Sequence, residues 1–389
     1  MTARRYAPME MIETLVGFPT VSSDSNLDLI EFVRGYLAGH GIGSRLTYDA
    51  EKRKANLFAT IGPDLAGGVV LSGHTDVVPV AGQPWESDPF TLVRRGSRLY
   101  GRGTSDMKSF LAVALALVPE FQAAGLKRPI HLALSYDEEV GCFGVPSLLR
   151  DIAANLPLPA MAIIGEPTSM RLANRHKGDQ VFRTVFTGRD GHSSATHRGV
   201  NAIFAAARFL GHLSDLADEF REAGPFDDSF DPPYTTVNAG QIDGGTAFNI
   251  IARHCALIWE FRPVPSVAPE TVTARVQAFV EGELLPAMRA TAPEASIETT
   301  VLCNLPPLMP QAESPAEALI RALTGANEAI GVAFGTEAGH FQQTGIPAVV
   351  FGPGSIEQAH QPNEFIEIAQ VEACVDFMQK LAGWISRPA

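Results

Sequence analysis

The sequence predicts an α/β protein in which a smaller α+β domain is inserted into a larger domain. Up to about residue 177, short apolar runs that suit buried strands alternate with amphipathic helical segments. From Gln180 the predicted strands alternate apolar and polar residues, as half-exposed strands do, and the α/β pattern resumes near residue 316. We therefore expect segments 1–177 and 305–389 to form the larger domain and segment 178–304 to form the inserted one.

The first segment combines two early helices with a series of strands. Periodic apolar residues predict the helices, and Gly17 and Gly39 end the first two. Several of the strands are continuous apolar runs, which is typical of strands buried on both faces. Predicted helices cover 8–16, 26–38 and 107–124, the last interrupted at Pro119; predicted strands cover 44–47, 55–61, 69–74, 130–136 and 160–165, with a hairpin at 92–100.

The inserted segment has its predicted elements in the order β-α-β-β-α-β. The strands cover 180–188, 235–242, 256–262 and 296–303, and the helices cover 201–217 and 269–285. This order is the ferredoxin-like one, and half-exposed strands suggest two layers with one open sheet face. The final segment returns to the first pattern, with helices at 316–324 and 368–384 and a strand at 346–351.

Composition excludes several classes of protein. Hydrophobic residues make up 46% and charged residues 19% of the 389 residues, a globular balance. The formal net charge of -13 disfavours nucleic acid and anionic membranes as partners. No apolar stretch is long enough to span a membrane, and residues 1–5 lead into no signal-type apolar core, so we expect a cytoplasmic protein. The four cysteines are far apart in the sequence, which predicts buried thiols rather than a disulfide framework or a zinc finger.

Side chains that suit metal binding follow the predicted strands. His74 and Asp76 leave the end of a buried strand on one side, because residues two apart in a strand point the same way. Five more such residues come just before a helix or just after a strand or turn: Asp106, Glu138, Glu139, Glu166 and His360. Open α/β sheets collect their ligands at the carboxyl ends of their strands, so we expect these side chains to meet.

This set of residues predicts two zinc ions with N and O ligands. Two histidines and three carboxylates suffice if one carboxylate is shared, and one of the Glu138–Glu139 pair is then left for proton transfer. Asp76 can orient the ring of His74. Each residue also has a structural alternative: Asp106 as a helix N-cap, the glutamates as loop or turn residues, and His360 as a surface histidine. Their shared place at successive strand ends favours the metal site.

Five motifs resemble those of the dinuclear zinc aminoacylase and carboxypeptidase superfamily. They are SGHTDVVP (72–79), GRGTSDMK (101–108), DEEVG (137–141), GEPT (165–168) and AHQPNE (359–364), and the resemblance covers nearly the whole chain. It implies a zinc-exopeptidase-like catalytic domain with a mixed, largely parallel sheet and an inserted ferredoxin-like dimerisation domain.

The same resemblance implies a role for each matching residue. His74, Glu166 and a bridging Asp106 would hold one zinc ion, and Glu139, His360 and the same Asp106 would hold the other. Glu138 would be the general base for a water that bridges the metals, and Asp76 would be the partner of His74. Cobalt suits the same ligands as zinc, so the native metal stays open.

Within the superfamily, three further stretches are similar to the acetylornithine deacetylases: 82–90, 335–339 and 355–362. This implies hydrolysis of N2-acetyl-L-ornithine to L-ornithine and acetate. Ser105 and Ser109 depart from that branch, which usually has cysteine and glycine there, but neither replaces a proposed ligand. Three sister deacylases (acetylcitrulline deacetylase, succinyl-diaminopimelate desuccinylase and a general aminoacylase) stay open as alternatives, as does a non-catalytic metal-binding relative.

The resemblance further implies a homodimer, formed through the inserted domain, that acts on a small N-acyl amino acid. His192, in the stretch Gly191–Ser194, would reach across the dimer into the neighbouring site, although a surface-loop histidine is the alternative. Residues that would bind substrate are Asn249, Arg262 and the backbone around Gly335 and Thr336, with a strand-face salt bridge as the alternative for Arg262. From charge complementarity, Glu337 would pair with a substrate ammonium group.

Overall fold

The computed structural model describes residues 4–387 and divides the chain into two compact units. The larger unit runs through Arg175 and includes Leu308–Gly331 and the chain from Thr336 onwards, whereas the second unit consists of His176–Pro307 and Val332–Gly335. Residues 1–3, on which the expectation of no targeting segment partly rests, and residues 388–389 lie outside the described part. Within the described part, no helix is long and apolar enough to cross a membrane.

The chain up to His176 forms alternating helices and strands. The helices are α1 (Pro8–Val16), α2 (Leu27–Gly39), α3 (Lys108–Ala116), α4 (Val118–Ala123) and α5 (Val145–Asn155). The strands are β1 (Ser44–Tyr48), β2 (Ala55–Ile61), β3 (Val69–His74), β4 (Val93–Arg95), β5 (Arg98–Tyr100), β6 (Ile130–Ser135), β7 (Met161–Ile164) and β8 (Ala173–His176). The interruption predicted at Pro119 begins at Leu117, because proline suits the first turn of α4 and cannot lie inside a longer helix.

The remaining helices and strands lie in the second unit and in the final segment of the chain. The second unit contains β9 (Asp179–Thr187), α6 (Ala202–Ala223), β10 (Thr236–Gly244), β11 (His254–Arg262), α7 (Pro269–Phe279), a π-helical turn (Val280–Leu284), α8 (Leu285–Arg289) and β12 (Ser296–Leu305). The final segment contains α9 (Pro315–Thr324), β13 (Ile330–Val332), α10 (Ala338–Gln343), β14 (Ala348–Val350), β15 (Phe365–Glu367) and α11 (Ile368–Ile385).

An eight-stranded mixed sheet organises the larger unit, with the strand order β1-β2-β6-β3-β7-β14-β8-β13. Its four central strands, β6, β3, β7 and β14, are parallel, and β2 runs antiparallel to both of its neighbours, β1 and β6. Every residue of β3 is buried, which explains the apolar run of its first three residues, Val69 to Leu71. This parallel centre confirms the predicted α/β class, and a smaller three-stranded sheet has the order β15-β5-β4.

Helix α3 lies at the centre of the larger unit's core. All nine of its residues are buried, and it packs on β3 and against α1 and α11. A helix that is apolar on every side must be enclosed in this way. The residue pair before this helix, Asp106 and Met107, is therefore fixed beside the end of the central sheet.

The second unit is a four-stranded antiparallel sheet in the order β10-β11-β9-β12, with α6 packed on one face. Alternate residues of β9 and β11 are buried, among them Phe182 and Trp259, whose rings stack. The side chain of Asn201 caps the start of α6 by accepting hydrogen bonds from the backbone N–H groups of Ile203 and Phe204. This arrangement confirms the predicted ferredoxin-like order.

Candidate metal centre

Three neighbouring parallel strands deliver most of the predicted metal ligands to one edge of the sheet. His74 is the last residue of β3, Glu138 and Glu139 follow β6, and Glu166 follows β7. Because β6, β3 and β7 run in the same direction, their carboxyl ends meet at that edge. Asp106 reaches the same place from the start of α3, and His360 reaches it from the loop between β14 and β15.

Asp106 lies between the two histidines. Its Oδ1 is 3.0 Å from Nε2 of His74, and its Oδ2 is 3.3 Å from Nε2 of His360. The same nitrogen of His360 lies 2.9 Å from Oε2 of Glu139. Each oxygen of Asp106 therefore faces a different histidine, which is the geometry that a shared carboxylate requires.

Glu138 and Glu166 form a second close group with His74. Oε1 of Glu166 is 3.7 Å from Nε2 of His74, and the ligand atoms of His74, Glu138 and Glu166 lie within 4.8 Å of one another. The same is true of His74, Asp106 and Glu139. The structure thus brings all five predicted ligands and Glu138 into one cluster, while the division of the ligands into two sets stays a prediction.

Burial and crowding make the ionised forms of the three glutamates in the cluster costly. Burial, together with the neighbouring carboxylates, raises the pKa of Glu138 and Glu166 well above the usual range. Burial and the charge of Asp106 raise the pKa of Glu139 to about 7. Buried carboxylates whose ionised forms are this costly favour the binding of cations.

The pKa values of the two histidines and of Asp106 shift so as to favour the charged form of each, because these groups face each other. Burial lowers the pKa of His74, but the hydrogen bond to Asp106 and the nearby glutamates outweigh it and raise this pKa well above its usual range. Hydrogen bonds to Asp106 and Glu139 raise the pKa of His360 to about 10. Burial opposes ionisation of Asp106, yet the two histidines hold its pKa below the usual range.

The donor set fits two divalent metal ions. Imidazole nitrogens and carboxylate oxygens are the ligand types that zinc takes in catalytic sites. Oε1 of Glu166 is buried and accepts no hydrogen bond from residues 4–387, which leaves a lone-pair donor directed into the cluster. These residues are therefore suited to hold a pair of metal ions that share Asp106.

Asp76 contacts His74 in a way that the sequence did not predict. Nδ1 of His74 lies 2.9 Å from the backbone oxygen of Asp76 and 3.7 Å from its carboxylate. The carboxylate instead accepts hydrogen bonds from the Ser22 hydroxyl, at 2.7 Å, and from the backbone N–H groups of Glu138 and Glu139, at 3.2 and 3.3 Å. Asp76 therefore orients the ring through its main chain and fixes both glutamates through its side chain.

The two serines that depart from the acetylornithine deacetylase pattern form local hydrogen bonds. The Ser105 hydroxyl donates to the backbone oxygen of Ser355 at 3.0 Å and accepts from its N–H at 3.1 Å. The Ser109 hydroxyl donates to the backbone oxygen of Thr104 at 2.5 Å. Neither side chain replaces a ligand, and Ser105 ties the loop of Asp106 to the segment that leads to His360.

The remaining predicted substrate residues lie in two places. His192, Asn249, Arg262 and Gly335 belong to the second unit, and Thr336 and Glu337 belong to the larger one. His192 and Asn249 are exposed neighbours, because the N–H of Ser193 donates to the backbone oxygen of Asn249 at 3.0 Å. Their roles stay predictions.

Arg262 and Glu337 have partners of their own. Nη2 of Arg262 lies 3.1 Å from Oδ2 of Asp179 and 3.4 Å from Oε2 of Glu260, so the strand-face salt bridge is present. Glu337 is fully buried and accepts a hydrogen bond from the Ser72 hydroxyl at 3.3 Å, and burial raises its pKa to about 7. Contact between Glu337 and a substrate ammonium group would require this side chain to become exposed.

Sequence reasoning missed a second group of residues that support the ligands: Ser22, Gln83, Arg102 and Glu364. Gln83 lies in the stretch 82–90 and Glu364 ends the AHQPNE motif, so both belong to stretches that the resemblance already singles out. No spacing pattern linked them to the cluster, because their partners are distant in the chain.

Comparison with known proteins gives three findings. A model of peptidase family M20/M25/M40 matches residues 70–383. The acetylornithine deacetylase of Proteus mirabilis (strain HI4320) is 36% identical over 388 residues, covering 96% of this chain and 95% of that protein. Two solved structures share the fold at 16% identity. They are the M20 metallo-carboxypeptidase Sso-CP2 of Sulfolobus solfataricus (TM-score 0.76; 98% of this chain and 99% of that one covered) and the dinuclear metal-binding M20 peptidase YXEP of Bacillus subtilis (TM-score 0.65; 97% of each).

Proposed function

This chain belongs to peptidase family M20/M25/M40, and on that premise we propose that it hydrolyses the acetyl amide of N2-acetyl-L-ornithine to L-ornithine and acetate. The name of a relative that is 36% identical over nearly the full length supports this substrate. The observation that best supports hydrolysis is the position of Asp106: its two oxygens face His74 and His360 at 3.0 and 3.3 Å.

The proposed cofactor is a pair of divalent metal ions, zinc or cobalt. His74, Asp106 and Glu166 would hold one ion, and Glu139, His360 and Asp106 would hold the other. Such ions supply Lewis acidity: they lower the pKa of a water molecule and polarise an acyl carbonyl group. The crowding of buried carboxylates and the lone-pair donor of Glu166 support this assignment.

Glu138 is the proposed general base and acid. It would take the proton from the attacking water and later deliver it to the leaving amine, so that its carboxylate returns to the starting state. Its backbone N–H is held by Asp76, and the thiol of Cys142 donates to its Oε1 at 3.4 Å. These contacts keep the carboxylate beside His74 and Glu166, where a reacting water would be bound.

The second unit is the proposed dimerisation domain. It exposes large apolar side chains at Phe204 (70%) and Phe248 (99%), with Ile242 and Ile250 also exposed. These exposed apolar side chains support a dimer surface on this unit. His192 pairs with Ile250 in a short bridge beside Phe248, so a dimer formed here would place the His192 loop at its interface.

Binding of the substrate carboxylate is assigned to Asn249, Arg262 and the backbone at Gly335 and Thr336. Arg262 is only part-buried and its guanidinium has more donors than its two acidic partners use. A carboxylate could therefore bind to it without complete loss of the existing salt bridges.

The test is turnover by metal-reconstituted protein on four substrates: N2-acetyl-L-ornithine, N-acetyl-L-citrulline, N-acetyl-L-methionine and N-succinyl-diaminopimelate. A preference in kcat/KM for acetylornithine is expected. A preference for another member would retain the metal chemistry and reject the substrate. Two bound metal ions with no turnover on any member would instead support the non-catalytic alternative.

A further inference from the structure

One buried carboxylate holds the turn that carries Asp106. Oε1 of Glu364 accepts hydrogen bonds from the backbone N–H groups of Ser105, at 2.8 Å, and Asp106, at 3.1 Å. Its Oε2 accepts from the N–H of Gly103, at 3.1 Å, and from Nη1 of Arg102, at 2.8 Å. Glu364 is only 1% exposed, so these four bonds form away from water, where each contributes more than it would at a surface.

The same network reaches the loop that carries His360. Nη2 of Arg102 donates to Oε1 of Gln83 at 2.6 Å, and Nε2 of Gln83 donates to the backbone oxygen of His360 at 3.0 Å. The Arg102 guanidinium lies over the ring of Trp85, with its carbon 5.1 Å from the ring centre. The indole N–H of Trp85 also donates a hydrogen bond to Oε1 of Gln83. Glu364 itself lies four residues after His360 on that loop.

The two proposed metal positions depend on this network unequally. His74 and Glu166 sit at the ends of buried central strands, and neither is bonded to Glu364, Arg102 or Gln83. His360 lies on a loop with a half-exposed side chain, and its backbone oxygen is held by Gln83. Asp106 serves both positions. Loss of the network should therefore weaken the position formed by Glu139, His360 and Asp106 more than the other.

We propose that Glu364 is a positioning residue of the metal centre: it fixes the turn of Asp106 directly and the loop of His360 through Arg102 and Gln83. This inference rests on the proposed metal centre but not on the proposed substrate. Groups that orient metal ligands without touching the metal contribute roughly 10–100-fold to metal affinity in other proteins. Glu364 matches that role because two of its acceptor bonds end on the backbone of Asp106 and its neighbour.

The experiment titrates metal-free protein with Co²⁺ in a calorimeter and compares wild type with Glu364→Gln. Glutamine keeps the size but loses the charge and one acceptor oxygen. We expect the binding step that is lost in His360→Gln to weaken roughly 10–100-fold in Glu364→Gln, and the other step to change much less. Amide hydrogen exchange at Ser105 and Asp106 should also become faster in the metal-free variant.

Two controls separate positioning from general stability. Glu367 lies three residues after Glu364 and forms an exposed ion pair with Arg98 at 2.6 Å; Glu367→Gln removes this pair and should leave both binding steps unchanged. Arg102→Met combined with Glu364→Met removes both buried charges, which avoids an unpaired charge and allows folding even if the single variant unfolds. The weakened step should persist in this folded double variant.

The outcomes separate this inference from the metal centre itself. Two normal binding steps in folded Glu364→Gln, or their full recovery in the double variant, would overturn the positioning role alone. Failure of the wild type to bind two ions would overturn the metal centre and this inference together.

Discussion

At the residue scale, Glu138 and Glu139 show how two adjacent identical side chains obtain different chemistry. The Asp76 carboxylate accepts both of their backbone N–H groups, so the main chain of the pair is fixed at one point. The side chains then diverge: Glu139 contacts His360, and Glu138 lies beside Glu166 and His74. This divergence agrees with the roles proposed for them, a metal ligand for Glu139 and a general base for Glu138.

Exchange of each glutamate for glutamine should separate these two roles. Glu138→Gln should lower kcat by about 10²–10⁴-fold with both metal ions still bound, because only the proton acceptor is lost. Glu139→Gln should instead lower metal content. Metal analysis and turnover on the same preparations check this, and near-normal turnover of Glu138→Gln would reject the general-base role.

A second residue-scale prediction concerns pH and stability. Burial of His340 in α10 lowers its pKa to about 4, and its Nε2 accepts no hydrogen bond from residues 4–387. In the unfolded chain this histidine binds its proton near pH 6.5. As the pH is lowered from 6.5 to 4, the free energy of unfolding should therefore fall by up to about 1.4 kcal/mol per pH unit. Above pH 6.5, His340 should not change the pH dependence of stability.

Urea unfolding of wild type and His340→Leu across that range tests the assignment. The leucine variant should show a shallower pH dependence than the wild type. His197→Leu, at an exposed histidine, is the control and should show the wild-type slope. Equal slopes for wild type and His340→Leu would contradict the lowered pKa of His340.

At the element scale, local pattern predicts most of the long elements but misses helix α5, which has eleven residues, and it predicts only some of the short strands. Strands β3 and β6 are predicted because every residue in them is buried and most are apolar, which is the pattern of a strand covered on both faces. Strands β13 and β15 have three residues each and exist because a neighbouring strand pairs with them, which no local pattern records. Helix α10, with six residues, is too short for a periodic signal.

The same distinction separates the predicted ligands from their supports. His74 and Glu166 follow strong strands, and their position alone predicts that they meet. Glu364 is bonded to Ser105, 259 residues away in the chain, so only the folded structure reveals the contact. Arg262 shows the limit of residue type as a signal, because a guanidinium that suits a substrate carboxylate also suits Asp179.

The close packing of α3 against the end of β7 gives a prediction at this scale. A Cβ atom at Gly165 would lie 2.0 Å from the ring of Phe110, next to Glu166. Gly165→Ala should therefore destabilise the protein by about 1–3 kcal/mol, because the ring or the strand must move. Phe110→Leu should recover part of this loss in the double variant, as measured by urea unfolding.

The control for this overpacking is a glycine with free space around it. A Cβ atom at Gly383 in α11 would meet nothing within 4 Å, so Gly383→Ala should raise stability by up to about 1 kcal/mol through helix propensity. A Gly165→Ala variant as stable as the wild type would contradict the close contact.

At the scale of the whole molecule, the larger unit contains the cluster of predicted metal ligands, and the second unit exposes large apolar side chains. In the larger unit the cluster is built from the ends of central strands, so its geometry depends on the sheet. In the second unit, Phe248 is 99% exposed and lies one residue from Asn249, whose backbone binds the His192 loop. An interface at Phe248 and a substrate role for His192 would therefore depend on each other.

Complementation between two inactive variants tests that dependence. Glu138→Gln subunits keep His192, and His192→Ala subunits keep Glu138. If His192 acts across a two-fold dimer, a mixed dimer has one site with both groups, and random mixing should restore about one quarter of wild-type activity. If His192 acts within its own subunit, no site in the mixture has both groups, and activity should stay at the level of the separate variants.

Phe248→Asp, introduced into both partners, should prevent the recovery by placing a charge in the apolar interface, and sedimentation velocity should show monomers. Recovery that persists in monomeric protein would reject the dimer as its cause.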